Sequence, residues 1–375
     1  MRIAALLPVY AQPKSVVEIA SILRAEDYPF SEIVIVVDGD TNPEIDAALA
    51  ELRSFPQVSV IAGKPHLGKA KALNEAAGEV EADALLFLDN DIVVPSGARL
   101  FSSSASLLEE RDLAELPKVG VGKGFVASMC SYEFLANLVA TEYLVGKAGR
   151  FPSINGAAFV IKKKLFITLG GFKAVVNEDM DLAARAFLAG ARFGFDPTMT
   201  VKNSVPETAE EWVKQRRRWA VNSALWSTVY VARVLKHDPK LGPFLGLSGL
   251  IFPLPLIALL AGALLPLIPT SLCNAPEWIS ILASALGALA GYCAVARFFA
   301  RKAKPYGSPF NVLSFLAFTV IYLPLWGMAS LMGMISIATG ILPELDWKHD
   351  EEADLASLAH RPGHPQGRRE RRSGR

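Results

Sequence analysis

Through the first two hundred residues, short unbroken runs of Val, Ile, Leu and Ala alternate with longer segments of helix length. Arg2 to Val9, Ile33 to Val37, Val58 to Ile61 and Ala84 to Leu88 read as strands. Ser15 to Arg24, Pro43 to Arg53 and Lys69 to Gly78 read as helices. Strands so nearly continuous in branched apolar residues are buried on both faces, which predicts a mostly parallel sheet flanked by helices. In such sheets ligands bind at the carboxyl ends of the strands. Past residue 240 the pattern changes: no charge occurs from Leu241 to Pro276, from Trp278 to Ala296, or from Pro305 to Pro343. A helix crosses the hydrocarbon core with roughly 20 apolar residues, so spans are expected near Phe244 to Ile268 and Trp278 to Phe298. The third stretch carries Pro324 and Gly327 midway and is open to one long kinked helix or a bent hairpin, giving three or four crossings.

Composition agrees with two parts of different character. The 375 residues are 51% hydrophobic and only 20% charged, with a mean hydropathy of +0.31. The 38 Lys and Arg nearly balance 37 Asp and Glu, which removes the general case for nucleic-acid binding. Arg233, Lys236 and Lys240 precede the first expected span and Arg297, Arg301, Lys302 and Lys304 cluster at the end of the second, while the loop between holds no Lys or Arg. That asymmetry predicts a multi-pass protein of the cell membrane with its polar part cytoplasmic. Arg368, Arg369, Arg371 and Arg372 near the end favour an even number of crossings, so that the tail is cytoplasmic too. His360 to Arg375 holds too few apolar residues to order itself and reads as a flexible tail. The apolar run at Met1 to Leu7 stops at Pro8, too short for a signal peptide, and reads as the first strand. Cys130, Cys273 and Cys293 are too scattered for a disulfide framework or a metal knuckle. The five His show no zinc-ligand spacing.

The strand ends carry the candidate chemistry. The first strand ends at Pro8-Val9-Tyr10, the second at Asp38-Gly39-Asp40, and the fourth at Asp89-Asn90-Asp91. Neither a Walker A loop nor GxGxxG follows the first strand, and Gly120, Gly122 and Gly124 match neither spacing, which disfavours an ATPase or a Rossmann dehydrogenase. An Asp-x-Asp pair instead supplies hard oxygen ligands for Mg²⁺ or Mn²⁺, ions that take a few carboxylates together with phosphate oxygens of a substrate. A nucleotide diphosphate is the expected ligand. Two adjacent carboxylates without a cation repel, so one would tend to hold a proton.

To these are added Gly68-Lys69-Ala70 with Ala72-Leu73-Asn74, Gly170-Gly171-Phe172, Glu178-Asp179, and Gln215-Arg216-Arg217-Arg218-Trp219, in that order. The ordered set, ending in Q-x-x-R-W, resembles the membrane-embedded family 2 glycosyltransferases with a GT-A domain, the branch of cellulose, chitin and hyaluronan synthases. The match spans roughly residues 1 to 240. The resemblance implies that Pro8, Tyr10 and Asp38 contact the nucleoside, that Lys69 and Arg218 meet the donor phosphates, and that Asp91, with Asp89 beside the nucleotide, holds the metal. It implies Asp179 as the base that deprotonates the acceptor, with Glu178, Gln215 and Trp219 at the acceptor site. Asn155 to Phe159 falls where the family has a small-residue segment bordering the acceptor. Asn177 stands where cellulose synthases often have Thr, which argues against a cellulose-specific assignment.

Other expectations are plainer. Glu207 to Lys236 reads as an amphipathic helix approaching the bilayer, with Trp212 and Trp226 as an interfacial stripe and Arg216 and Arg217 toward lipid headgroups. The implied organisation is a GT-A domain over 1–204, the interface helix region over 205–240, a transmembrane domain over 241–343 and a tail over 344–375. The implied function is inverting, metal-dependent transfer from a UDP- or GDP-sugar to a membrane-associated acceptor, in processive polysaccharide synthesis. The resembled synthases usually carry spans ahead of the catalytic domain that this sequence does not show, so a glycolipid synthase acting on ceramide or a polyprenyl phosphate is the second expectation. A nucleotide-sugar sensor or transporter is the third, opposed by the absence of charged residues in the interior of the expected spans, Arg297 standing at the end of one.

Overall fold

The computed structural model describes residues 1–29, 31–63, 66–173, 175, 177–241, 254–264 and 276–340. The polar part is built on β1 (Ile3–Val9), β2 (Ser31–Asp38), β3 (Val58–Gly63) and β4 (Ala84–Leu88), with α1 (Val16–Ala25), α2 (Pro43–Leu52) and α3 (Lys69–Glu79) between them. These strands pair in parallel in the order β3-β2-β1-β4. Beyond β4 the sheet turns mixed: β8 (Ala158–Lys162) runs antiparallel to β4 and to β6 (Leu113–Glu115), and β9 (Phe193–Gly194) closes that edge parallel to β6. A second small sheet sets β10 (Val201–Ser204) between β5 (Ile92–Val93) and β7 (Lys118–Val121).

Side-chain alternation divides the core between the two faces of the large sheet. Ile3, Ala5, Leu7 and Val9 of β1 pack on the side of α1 and α2, while Ala4 and Leu6 join α3 on the other. Strand β2 repeats the division with Ile33, Ile35 and Val37 against Val34 and Val36. Neither face meets water, which is why these strands read as continuous apolar runs. Helix starts follow capping chemistry: Asn42 accepts from the backbone N–H groups of Glu44 and Ile45 at 3.0 Å, with Pro43 in the first turn of α2.

Four further helices complete the polar part: α4 (Leu100–Glu110), α5 (Gly124–Ala148), α6 (Lys163–Thr168) and α7 (Glu178–Leu188). The Gly-Gly-Phe corner before α7 is clasped to α3, because Asn74 donates to Phe172 O and accepts from Phe172 N, each at 2.8 Å. Arg185 of α7 holds the same corner through Leu169 O at 2.7 Å and Gly171 O at 2.9 Å. Two of the sequence motifs are thus one structural joint.

Helix α8 (Ala209–His237) starts from a capping box formed by Thr208 and Glu211. It packs along α7 and along the last described helix, and its aromatic residues face protein rather than forming a membrane-interface stripe. Trp226 donates to Met180 O at 3.1 Å, and Trp212 meets Tyr322 edge-on with ring centres 5.5 Å apart. The apolar part comprises α9 (Leu254–Leu264), α10 (Glu277–Ala303) and α11 (Val312–Thr339). Helices 277–306 and 312–339 are long and apolar enough to cross a membrane. Most of the expected first span, 244–268, and the tail, 344–375, lie outside the described residues, as does Cys273. The third apolar stretch is a single helix, not a hairpin. Its irregularity is a π turn over Phe318–Tyr322 just before Pro324, where proline's missing N–H and its ring disturb the regular ladder.

Candidate active site

The carboxyl ends of β1, β2 and β4 and the start of α7 bring together most of the residues singled out from the sequence. Asp38, at the end of β2, is buried. Its Oδ1 accepts from Leu67 N at 2.7 Å and its Oδ2 lies 2.9 Å from His66 Nδ1. The His66 ring stacks on Tyr10 at 4.5 Å between centres, so Tyr10, His66 and Asp38 form one polar-aromatic ledge beside Pro8. Gly39 keeps the ledge closed, since its φ of +92° suits glycine and a Cβ there would sit 3.2 Å from His66 Cβ. His66 carries no motif in sequence and emerges only from this packing.

Asp89 and Asp91 occupy the turn after β4. The repulsion expected between them is met by lysines: Lys69 Nζ lies 2.6 Å from Asp89 Oδ1 and Lys14 Nζ lies 3.4 Å from Asp91 Oδ2. Lys69 also faces Glu178 Oε1 at 3.9 Å. Burial opposes the Lys69 charge, but the Asp89 and Glu178 carboxylates outweigh it and raise its pKa above the ordinary lysine value. The donor set of Asp89 and Asp91, two hard carboxylates, fits Mg²⁺ or Mn²⁺ shared with a ligand's phosphate oxygens. Among the described residues no group of three or more His, Cys, Asp or Glu side chains could hold a metal without such a ligand.

Glu178 and Asp179 open α7. Burial raises the pKa of both carboxyls above the usual carboxylate range. Asp179 is held firmly: Oδ2 accepts from Gly156 N at 2.5 Å and Oδ1 from Met180 N at 2.7 Å. Only glycine fits at 156, because a Cβ would stand 2.7 Å from Asp179 Cβ and 2.8 Å from Oδ2. Asn177, the cap of α7, has a left-handed backbone at φ +68°. Asn enters that region far more readily than β-branched Thr, and its Oδ1 accepts from Asn222 of α8 at 3.0 Å.

That contact orients α8 over the site. Gln215, Trp219, Asn222 and Trp226 recur at four- and three-residue steps, so they lie along one stripe of the helix. Asn222 and Trp226 reach Asn177 and Met180 at the start of α7, which sets Trp219 and Gln215 one and two turns further along the same side. Arg218 is exposed on the flank of this stripe. Arg216, expected at lipid headgroups, is instead fully buried. Its guanidinium pairs with Glu133 of α5, donates to the Tyr322 hydroxyl at 3.2 Å and lies 4.2 Å over the Trp219 ring. Nothing in the run of three arginines distinguishes it; only the packing of α5, α8 and α11 does.

Residues 86–339 match the family described as "Glycosyl transferase family group 2" and residues 5–105 match "Glycosyl transferase family 2". Curated relatives include a poly-beta-1,6-N-acetyl-D-glucosamine synthase of Staphylococcus aureus, 27% identical over 57% of this chain and 53% of that protein. One of the same description from Staphylococcus epidermidis is 26% identical over 60% of this chain and 57% of its own length. The chain thus spans about half the length of the curated relatives it matches. Among solved structures, a Pyrobaculum calidifontis mannosyltransferase in complex with GDP-Man and Mn²⁺ aligns at a TM-score of 0.56 and 21% identity, covering 90% of this chain and 86% of that one. That likeness concerns the fold, and it agrees with the GT-A-like mixed sheet followed by apolar helices.

Proposed function

The chain belongs to glycosyl transferase family group 2, and from that premise we propose that it transfers a sugar with inversion from a UDP- or GDP-sugar to a membrane-associated acceptor, extending a polysaccharide. The observation that carries the reading is the convergence of Lys69, Asp89, Glu178 and Asp179 at the end of β4, with Lys69 Nζ 2.6 Å from Asp89 and Asp179 fixed by Gly156 N at 2.5 Å.

In this mechanism Pro8, Tyr10 and Asp38 receive the nucleoside at the ledge, and Lys69 and Arg218 meet the diphosphate. Lysine supplies a point charge there and arginine a planar, two-pronged one. Asp179 takes the proton of the acceptor hydroxyl. The freed oxygen attacks the anomeric carbon from the face opposite the diphosphate, the bond from that carbon to the phosphate oxygen breaks, and its electron pair leaves with the nucleoside diphosphate. Burial raises the basicity of Asp179, which suits proton removal from a weakly acidic alcohol. Trp219 stacks against the acceptor sugar and Gln215 and Glu178 bond to it. A divalent cation, Mg²⁺ or Mn²⁺, held by Asp91 and Asp89 would neutralise charge on the departing diphosphate. The basic residues flanking the apolar helices support a multi-pass protein of the cell membrane with this site on the cytoplasmic side, and membrane lipids as its surroundings.

Product analysis tests the reading. Purified protein in lipid, with Mg²⁺ or Mn²⁺ and a panel of radiolabelled UDP- and GDP-sugars, is expected to place label in a long, water-soluble polymer. Label in organic-extractable lipid instead would make the protein a glycolipid synthase, and absence of transfer from every donor would leave a nucleotide-sugar sensor.

A further inference from the structure

The segment from Asn155 to Ala158 runs between two aspartates that the proposed mechanism uses, and its backbone touches the carboxylate of Asp179 and the main chain of Asp89. Gly156 N donates to Asp179 Oδ2 at 2.5 Å, and Ala157 O accepts from Asp89 N at 2.8 Å. Successive residues of one short strap thus bind the candidate base on one side and the metal-side aspartate on the other. The strap folds on itself through Asn155 Oδ1, which accepts from Ala157 N at 3.1 Å.

Beneath it sits a buried ion pair that neither motif nor mechanism explains. The Lys118 side chain is 3% exposed and that of Glu115 17%. Lys118 Nζ makes three contacts at 3.0 Å, to Glu115 Oε1, Leu116 O and Ala158 O, matching the three protons of an ammonium group. The second oxygen of Glu115 accepts from Asn155 N at 3.1 Å. The pair therefore grips the strap at both ends, Glu115 at residue 155 and Lys118 at residue 158. Desolvation makes a buried charge pair weak evidence of stabilisation, and this one is rooted in β6 and β7, near enough to α7 for Lys118 to feel the charge of Asp179.

We propose that Glu115 and Lys118 are positioning residues for sugar transfer, holding the 155–158 strap so that Asp179 and Asp89 keep their relative placement. The proposal rests on Asp179 being the base. Glu115→Gln fills the same volume, but its amide oxygen turns toward the Lys118 ammonium, leaving its NH₂ against Asn155 N, donor facing donor. The strap is pushed, and the Gly156 N bond that favours ionised Asp179 is weakened. A Lys118→Met/Glu115→Leu double variant removes both charges and should pack as an apolar pair.

The experiment measures kcat, donor KM and the pH profile of kcat/KM for both variants and for Asp179→Asn, using whichever UDP- or GDP-sugar serves in the product assay. Folding is checked by thermal unfolding in detergent and by binding of UDP or GDP. The expected result is a fall in kcat of about tenfold or more, a donor KM within about threefold, and an acidic limb moved to higher pH. A merely structural pair would lower the yield of folded protein without moving that limb. Wild-type kcat and limb in either folded variant, beside an inactive Asp179→Asn, overturns the positioning role alone. Near-normal turnover in Asp179→Asn overturns the base assignment itself, and with it this inference.

Discussion

Asp179 pairs a demanding position with a modest side chain. Its folded-state pKa is raised, chiefly by burial, so the protonated acid is favoured in the fold: stability is full below the unfolded pKa and declines as pH rises through the folded value. At neutral pH the ionised carboxylate is therefore held at some cost to the fold. Asp179→Asn is expected to lower turnover by about 10²- to 10⁴-fold and to leave UDP or GDP binding intact, while its NH₂, set against Gly156 N or Met180 N, offsets what the fold gains from losing the buried charge. The activity of the parent should rise with pH through a limb above the usual carboxylate range, a limb the variant's residual rate lacks. Steady-state rates across pH, with calorimetry of the same samples, check each part.

Among the elements, α8 joins the start of α7 to the apolar part. Asn222 and Trp226 reach the start of α7, while Trp212, Arg216 and Trp219 lock the helix to α5 and α11. Arg216 and Glu133 are both nearly inaccessible, at 1% and 3% side-chain exposure, and Tyr322 donates its hydroxyl to the same carboxylate. Removing one partner leaves a buried, uncompensated charge, so Arg216→Met or Glu133→Gln is expected to destabilise by about 3–5 kcal/mol, whereas Arg216→Met with Glu133→Leu should recover much of that loss. The order of the three unfolding midpoints in detergent tests the pair, and equal midpoints for single and double variants would exclude it.

At the scale of the whole molecule, catalytic and apolar parts meet through close backbone approach. A Cβ at Gly333 of α11 would stand 2.6 Å from the Ala220 carbonyl carbon of α8, and Gly262 and Gly291 allow the same intimacy between α9 and α10. Gly333→Leu must push α11 from α8, one residue beyond Trp219. It is expected to cut turnover at least tenfold with donor KM little changed, since the ledge of Tyr10, His66 and Asp38 proposed for the nucleoside is built at the ends of β1, β2 and β3. Unchanged turnover in a correctly inserted Gly333→Leu protein would separate α11 from the chemistry.

What the sequence determined by itself is local and periodic. Runs of Val, Ile and Leu name a strand because burial on both faces demands nothing else of it, and β1 to β4 with α1 to α3 appear within one to a few residues of their expected limits. Glu178-Asp179 and Asp89-Asn90-Asp91 announce themselves by charge at a strand or helix end, and stretches without charge announce helices fit for lipid. What only the tertiary structure decided is every relation across the chain: that β8 runs antiparallel beside β4, that the third apolar stretch is one helix with a π turn, that His66 stacks on Tyr10, and that Arg216 alone of three arginines is buried against Glu133. Lys118 and Glu115 look like ordinary charges until Ala158 O and Asn155 N come to rest on them. The reason is physical: periodicity records which face of an element is dry, whereas a buried ion pair or a glycine contact is defined by a partner tens of residues away whose position no local pattern encodes.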